Sequence, residues 1–424
     1  MRALGALACA TLLLTACAGV GAGGVSDRHD ISASVARSAS EGPDAELLGK
    51  AKGYPLGTRA SWFMDETVRV GSFSNLDRLL PHHTLKKADM PSPLPKAASE
   101  PALHYEFQGR RLSIDDYLAQ QRTTGLMIIK DGQVLVERYQ YERTPQQRML
   151  SNSMAKSIVS VAFGVALAER SIRSLDDKSA DYVPELGDSA YGQTSLRDLL
   201  RMSSGVRFIE NYDGNDDSAK FARALGTRGV LAALRLFNER EAPAGTRFHY
   251  ASIETHVLGL VLRRATGRTL ADYVDEKLWQ PMGAEADATW ITGPDDVERA
   301  AGTFNATLHD WGRLGILLAN DGALDGRQII PRDYLLEATD WHRHPPAFAP
   351  RNRAFGYGYQ FWTMPGEKRR FALIGVYGQA IYVDPALKLV LVHMAAARNA
   401  RIGVESMGAE LRALWAGLVD TFSQ

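Results

Sequence analysis

Three short stretches of this 424-residue chain carry side chains able to do chemistry together: Ser153-Met154-Ala155-Lys156, Tyr250-Ala251-Ser252 and Gly375-Val376-Tyr377-Gly378-Gln379. Serine is a weak nucleophile until something takes its proton. On a helix, positions i and i+3 share a face, so the Lys156 amine comes within reach of the Ser153 hydroxyl. Burial disfavours an ammonium, which lowers the lysine pKa and frees the amine to act as a base. A serine that opens a helix also has unpaired backbone N–H groups and the positive end of the helix dipole beside it, which favour a developing oxyanion. The same letters fit a serine N-cap followed by a surface lysine.

Tyr250 stands between the loop Pro243-Ala244-Gly245 and a helical run that ends at Gly267. A phenol there can point into a cleft, and beside a cationic lysine its pKa falls, so it can relay a proton between nucleophile and leaving group. A core tyrosine with a satisfied hydroxyl is the alternative. In the third stretch, glycines at a strand edge let backbone approach a ligand closely. The N–H of Gln379 there pairs with that of Ser153 as an oxyanion hole. A hairpin turn that needs glycine fits equally.

Such groups need a frame to hold them. The run 158–167 is apolar on every side and predicts a buried helix behind Ser153. Residues 125–136 hold two β-rich runs joined by Asp131-Gly132, a hairpin signal. A matching set lies at 371–374, 380–383 and, after a turn at Asp384-Pro385, 387–394. Ser195 with Asp198 and Thr307 with Asp310 fit helix capping, while Gly267 and Gly322 fit helix C-caps. Prolines at 91, 93, 95 and 101 mark a seam. Strands, a helical middle and strands again predict an α/β (α+β) fold, an antiparallel sheet flanked by helices with a helical subdomain inserted over roughly 175–320. The site is expected between sheet and inserted helices.

Lys+Arg and Asp+Glu both number 49, which argues against a nucleic-acid partner bound by phosphate neutralisation. Two cysteines exclude a disulfide framework or a Cys-rich metal site. The 10 histidines include His82-His83 and His342-Arg343-His344, neither in a helical H-E-x-x-H context, so they read as surface or turn residues. No metal and no cofactor is expected. At the N-terminus, Arg2 precedes an apolar run too short to span a bilayer, ending in Leu14-Thr15-Ala16-Cys17. This resembles the lipobox of bacterial lipoproteins, which are cut before a cysteine that is then acylated. An ordinary signal cleaved near Ala16 or Ala18 is the alternative. The resemblance implies a signal peptide at 1–16, lipidation at Cys17, a Gly/Ser/Ala-rich tether at 17–45 and a folded domain at 46–424. It also implies an exported, periplasm-facing protein held at a membrane, on the outer one by the Ala18 that follows the cysteine, through its lipid anchor only.

From about Gly53 onward the chain is similar to the serine hydrolases of the class C β-lactamase and penicillin-binding-protein superfamily, and within it to the branch of 6-aminohexanoate-dimer hydrolase and related esterases. Besides the three stretches, the resemblance rests on Leu200-Arg201-Met202-Ser203-Ser204-Gly205-Val206, Gly302-Thr303-Phe304-Asn305-Ala306-Thr307, Asn320-Asp321-Gly322 and Phe355-Gly356-Tyr357-Gly358-Tyr359. It implies a β-lactamase-like fold, Ser153 as the acylating nucleophile, Lys156 as its partner, Tyr250 as the tyrosine of the Y-x-N motif and Gly378-Gln379 as the third motif on the sheet edge. Two positions depart from the pattern. Ser252 stands where β-lactamases have Asn, and Val376-Tyr377-Gly378 stands for Lys-Thr-Gly. Loss of the lysine that helps recognise a β-lactam carboxylate speaks against strong β-lactamase or carboxypeptidase activity. The expectation is a hydrolase of a small neutral ester or linear amide. A cell-wall DD-peptidase or weak β-lactamase is the second reading, and an inactive anchored binding protein the third. Tyr212, Ser252 and Tyr377 are candidate substrate contacts; the stretch Glu210-Asn211-Tyr212-Asp213 fits a cleft lining or a solvated loop.

Overall fold

Asp131 and Gly132 both take positive φ, 51° and 76°, the left-handed pair that a two-residue hairpin turn requires. They join β1 (Thr123–Lys130) to β2 (Gln133–Tyr139) in a computed structural model that describes residues 41–345, 348, 354–401 and 406–423. The segment carrying Cys17 lies outside the described residues. Five further strands complete the sheet: β3 (Gly356–Tyr357), β4 (Trp362–Met364), β5 (Arg370–Gly375), β6 (Gln379–Asp384) and β7 (Leu389–Ala395). Their order is β3-β4-β5-β6-β7-β1-β2, antiparallel throughout. The sequence-distant strands meet in its middle, where Leu391 of β7 faces Ile128 of β1.

Side chains on a strand alternate between faces, and here both faces are dry. Met127 and Ile129 of β1, with Val390 and Val392 of β7, join one core; Leu126, Ile128, Leu389 and Leu391 join the other. Each such buried aliphatic side chain contributes roughly 1.5–3 kcal/mol. Helix α1 (Ala155–Ala168) belongs to the first core, and α3 (Leu308–Ala319) packs there directly on β7, β6 and β1. Helix α4 (Ser406–Phe422) covers the second. Helix α2 (Ser252–Thr266) lies on α1. Ser195 and Thr307 cap their helices by accepting the Asp198 and Asp310 N–H at 3.1 and 3.2 Å, and Gly267 ends α2 at φ 69°.

Three expected boundaries move. The helical middle stops at Trp279, because Ala288–Ile291 and Phe304–Thr307 are strands of a second, four-stranded sheet with His82–Leu85 and Arg148–Leu150. The proline-rich stretch is no seam: Pro95 accepts the Val134 N–H at 2.8 Å, so it lines the free edge of β2, where missing donors cost least. The folded body begins before residue 46, since Ala45 is buried with Tyr54 and Tyr141, and Asp44 pairs with Arg122 at 2.7 Å.

Candidate active site

Strand Arg148–Leu150 delivers the chain to Ser151, which is tied to Phe304 in both directions: its N–H donates at 2.8 Å and its Oγ accepts at 3.1 Å. Asn152 follows with φ 42°, a left-handed conformation that costs a non-glycine residue of order 1–3 kcal/mol. Its Nδ2 donates to the Val376 carbonyl at 2.9 Å, which holds the strained residue in place. The chain then makes one tight turn, Asn152–Met154, and runs into α1. Ser153 sits in that first turn, where the Met154 N–H makes the first bond, to Ser151, at 3.1 Å. The Ser153 N–H precedes it and has no partner within the helix.

Lys156 Nζ donates to Ser153 Oγ at 2.8 Å and to the Ala301 carbonyl at 2.8 Å. The side chain is 1% exposed and, among the described residues, forms no ion pair. Burial therefore lowers its pKa to about 8, against a smaller upward pull from Glu210.

Tyr250 is held in an aromatic slot at the sheet edge. Its ring stacks on Trp362 of β4 at 5.6 Å and meets Tyr357 of β3 edge-on at 6.1 Å. Lys156 Nζ lies 5.2 Å from its centre. Burial raises the phenol pKa well above the ordinary value and the Glu210 charge adds to this, while hydrogen bonding with the Ser153 and Ser252 hydroxyls works against them. The lysine does not acidify the phenol, contrary to the expectation. The burial that weakens the ammonium also disfavours a phenolate, so Tyr250 rests protonated.

The third stretch links β5 to β6 but presents a different residue than expected. A Cβ on Gly375 would meet the Ser151 carbonyl oxygen at 2.5 Å and the Ser153 nitrogen at 3.0 Å, so glycine is what lets this strand end lie against the turn that carries Ser153. Val376, the next residue, lines the cavity beside Ser153. Gln379 instead turns into the sheet, where its carboxamide donates to Ala395 O at 2.8 Å and accepts from Ala395 N at 3.1 Å. Gly378, at φ 91°, packs against Met407 and Ala395. Tyr377 is buried away from the cavity, edge-on to Phe63 at 5.1 Å with the Arg69 guanidinium 4.0 Å over its ring. Gln379, Gly378 and Tyr377 do not line the cavity, whereas Val376 does.

A cavity of about 890 Å³ opens in front of Ser153, with Asn152, Val376, Glu210, Tyr212 and Ser252 in its wall and an apolar side that includes Phe208 and Phe221. Tyr212 and Ser252, the candidate substrate contacts, both line this cavity. Glu210 ties them together: it accepts the Ser252 N–H and O–H, both at 2.6 Å, and the Tyr212 O–H. Sequence reasoning missed His256, Arg299 and Thr303, which also line the cavity. Spacing marks only the first, one helical turn beyond Ser252 on the same face of α2. Among the described residues no three His, Cys, Asp or Glu side chains converge as a metal site.

An antiparallel sheet flanked by helices, a serine opening a buried helix and an unpaired lysine bonded to it define a serine hydrolase. Residues 112–405 match the family model described as Beta-lactamase, and the chain belongs to that family. It is similar to the 6-aminohexanoate-dimer hydrolase of Paenarthrobacter ureafaciens, with 25% identity over 376 residues, 85% of this chain and 92% of that one. It is also similar to a D-aminopeptidase of Brucella ovis, 25% identical over 238 residues, 53% of this chain and 45% of the relative. The solved structure described as "Putative 6-aminohexanoate-dimer hydrolase from Bacillus anthracis" superposes with a TM-score of 0.76 at 22% identity, covering 87% of this chain and 100% of that one. The expected β-lactamase-like fold is the observed one.

Proposed function

We propose that the protein hydrolyses a linear amide or an ester through an acyl intermediate on Ser153, with Lys156 and Tyr250 moving the protons. One observation carries the assignment: Lys156 Nζ, buried and 2.8 Å from Ser153 Oγ, has its pKa lowered to about 8. In the free-base form Lys156 takes the hydroxyl proton as Oγ bonds to the substrate carbonyl carbon. The carbonyl electron pair moves onto oxygen, facing the N–H groups of Ser153 and Val376. Collapse of the tetrahedral intermediate breaks the bond to the leaving group, which takes the Tyr250 proton. The Lys156 ammonium restores that proton. Water then attacks the acyl-serine with the same pair as base, and the acid departs as Oγ regains its proton.

The relative whose name specifies 6-aminohexanoate dimer supports a linear amide, since its likeness spans 85% of this chain. The absence of lysine from Gly375-Val376-Tyr377-Gly378 supports the same preference over β-lactams. For the N-terminus, the order of Arg2, the apolar run and Leu14-Thr15-Ala16-Cys17 supports an exported lipoprotein anchored at Cys17 and facing the periplasm. No helix among the described residues is long and apolar enough to cross a membrane. Incorporation of labelled palmitate that disappears in Cys17→Ser tests the anchor.

A fluorophosphonate probe followed by digestion tests the nucleophile. Label is expected on the peptide carrying Ser153, and Ser153→Ala should lower turnover of a p-nitrophenyl ester at least about 10⁴-fold. Labelling that survives in Ser153→Ala would overturn the assignment, and nitrocefin turnover above that of linear amides would overturn the substrate class.

A further inference from the structure

The loop after Ala288–Ile291 does more than hold Lys156. It is rigidly built: the Arg299 N–H donates to Ile291 O at 2.9 Å, and the Arg299 carbonyl accepts Trp290 Nε1 at 3.2 Å and the Gly302 N–H at 3.1 Å. From this loop Arg299 and Thr303 reach the cavity wall. Among the described residues the Arg299 guanidinium makes no ion pair, and its Nε is buried without a partner. Asp295 attracts it from a distance, without an ion pair, and accepts the Val230 N–H at 2.7 Å. The other charge felt by Arg299 is repulsive, from Arg59, which lines the same cavity and also makes no ion pair.

Two more groups there are incomplete. Thr303 is 9% exposed, with Oγ1 buried and unpartnered, and its φ is 63°, an outlier for a β-branched residue. His256 is 6% exposed and its Nδ1 is likewise unpartnered. It lies in the fields of both Lys156 and Arg299 and lines the same cavity. Buried polar groups left without partners are costly, and Arg59 repels Arg299 more than the one nearby acid, Asp295, attracts it. Both costs vanish if an anion enters. A planar guanidinium fork matches a carboxylate, and the neighbouring Phe208 and Phe221 suit an aliphatic chain leading to it.

We propose that Arg299, with Arg59, Thr303 and His256, forms a subsite for the carboxylate of the substrate, reached by an aliphatic chain from the scissile bond. The proposal rests on the hydrolase reading and deepens it. The chain lacks a cation in its third stretch and supplies one from this loop instead. This points to an anionic substrate where zero net charge alone led to the expectation of a neutral one, because the charge that matters is local.

Calorimetry with hexanoate and hexanamide on the full chain tests the subsite without requiring turnover. Hexanoate is expected to bind at least about 10-fold more tightly, the worth of hydrogen bonds to a charged group. Added NaCl should weaken hexanoate and not hexanamide. Arg299→Gln should bring the two affinities within about 2-fold, with folding checked by circular dichroism, and Arg299→Lys should keep part of the preference. Arg59→Gln, at an exposed position, should lower the preference about 3-fold and decides the matter if Arg299→Gln does not fold. Equal affinity of the two compounds for the wild type overturns the subsite and leaves the Ser153 assignment intact. Undiminished ester turnover by Ser153→Ala, with the hexanoate preference retained, overturns that assignment and leaves the subsite standing.

Discussion

Lys156 reaches Ser153 across one helical turn, Nζ to Oγ 2.8 Å, and its other hydrogen bond goes to the Ala301 carbonyl rather than to a carboxylate. A carboxylate there would hold the ammonium and raise its pKa. A carbonyl satisfies the donor without supplying charge, so burial decides the balance and the amine loses its proton near neutrality.

The pH dependence follows directly. The working form of Lys156 is the free base, so kcat/KM for p-nitrophenyl butyrate should rise with pH through about 8 and then level off. Lys156→Arg, always charged, should lower kcat/KM by about 10²–10⁴-fold and lose the rise. A wild-type profile flat from pH 6 to 10 would remove Lys156 from the role of base.

Tyr250 should matter most where the leaving group needs a proton. Tyr250→Phe keeps the ring stacked on Trp362 and so keeps the fold. For a linear amide the expected loss in kcat is about 10²–10⁴-fold, and for a p-nitrophenyl ester it is about 10-fold or less, since p-nitrophenolate leaves unprotonated. Equal losses for both substrates would contradict a proton-donor role.

Gly375→Ala tests how tightly the strand end is fitted to the nucleophile. The new methyl group meets Ser151 O at 2.5 Å, and main chain cannot swing aside as a flexible side chain does. The turn carrying Ser153 must shift, so kcat should fall about 10–100-fold with KM nearly unchanged. Steady-state kinetics and a thermal melt, lowered by several degrees, check this.

Glu254, buried in α2, gives the stability a pH slope. Burial raises its pKa to about 8 from 4.5, against hydrogen bonds from the Ser204 hydroxyl and N–H. Between those values the folded state holds a proton that the unfolded state has released. The stabilisation is fully present below pH 4.5 and is lost as pH rises through about 8. Urea midpoints should fall across that window in the wild type, and the slope should flatten in Glu254→Gln.

What the sequence disclosed was what depends on near neighbours. Ser153 and Lys156 are one helical turn apart, Asp131-Gly132 admits essentially one kind of hairpin turn, and β1 and β7, buried on both faces, stand out as short continuous β-rich runs. Val376 could not be chosen over Gln379 in this way, because all five residues from Gly375 read as one glycine-rich turn. Only the contact of Gly375 with Ser153, from a distant part of the chain, selects between them. Arg299, His256 and Thr303 were hidden for the same reason. Each is ordinary in its own segment, and becomes notable only because its polar atoms converge, unpartnered, on one wall. Ala288–Ile291 was absorbed into a helical region because a four-residue strand in a small sheet has too short a pattern to stand out.

The pairing of Leu391 with Ile128 fixes when this protein begins to work. Strand β1 lies between β2 and β7, and β7 is the last strand to be synthesised. A nascent chain that has already made Ser153 and Lys156 still lacks five of the seven strands of its sheet, among them the strand end that seats against the turn of Ser153. Local helices can form early, but this closure spans most of the chain and is slow by its nature. Almost the whole chain must therefore be in place before the strands around Ser153 can close on one another.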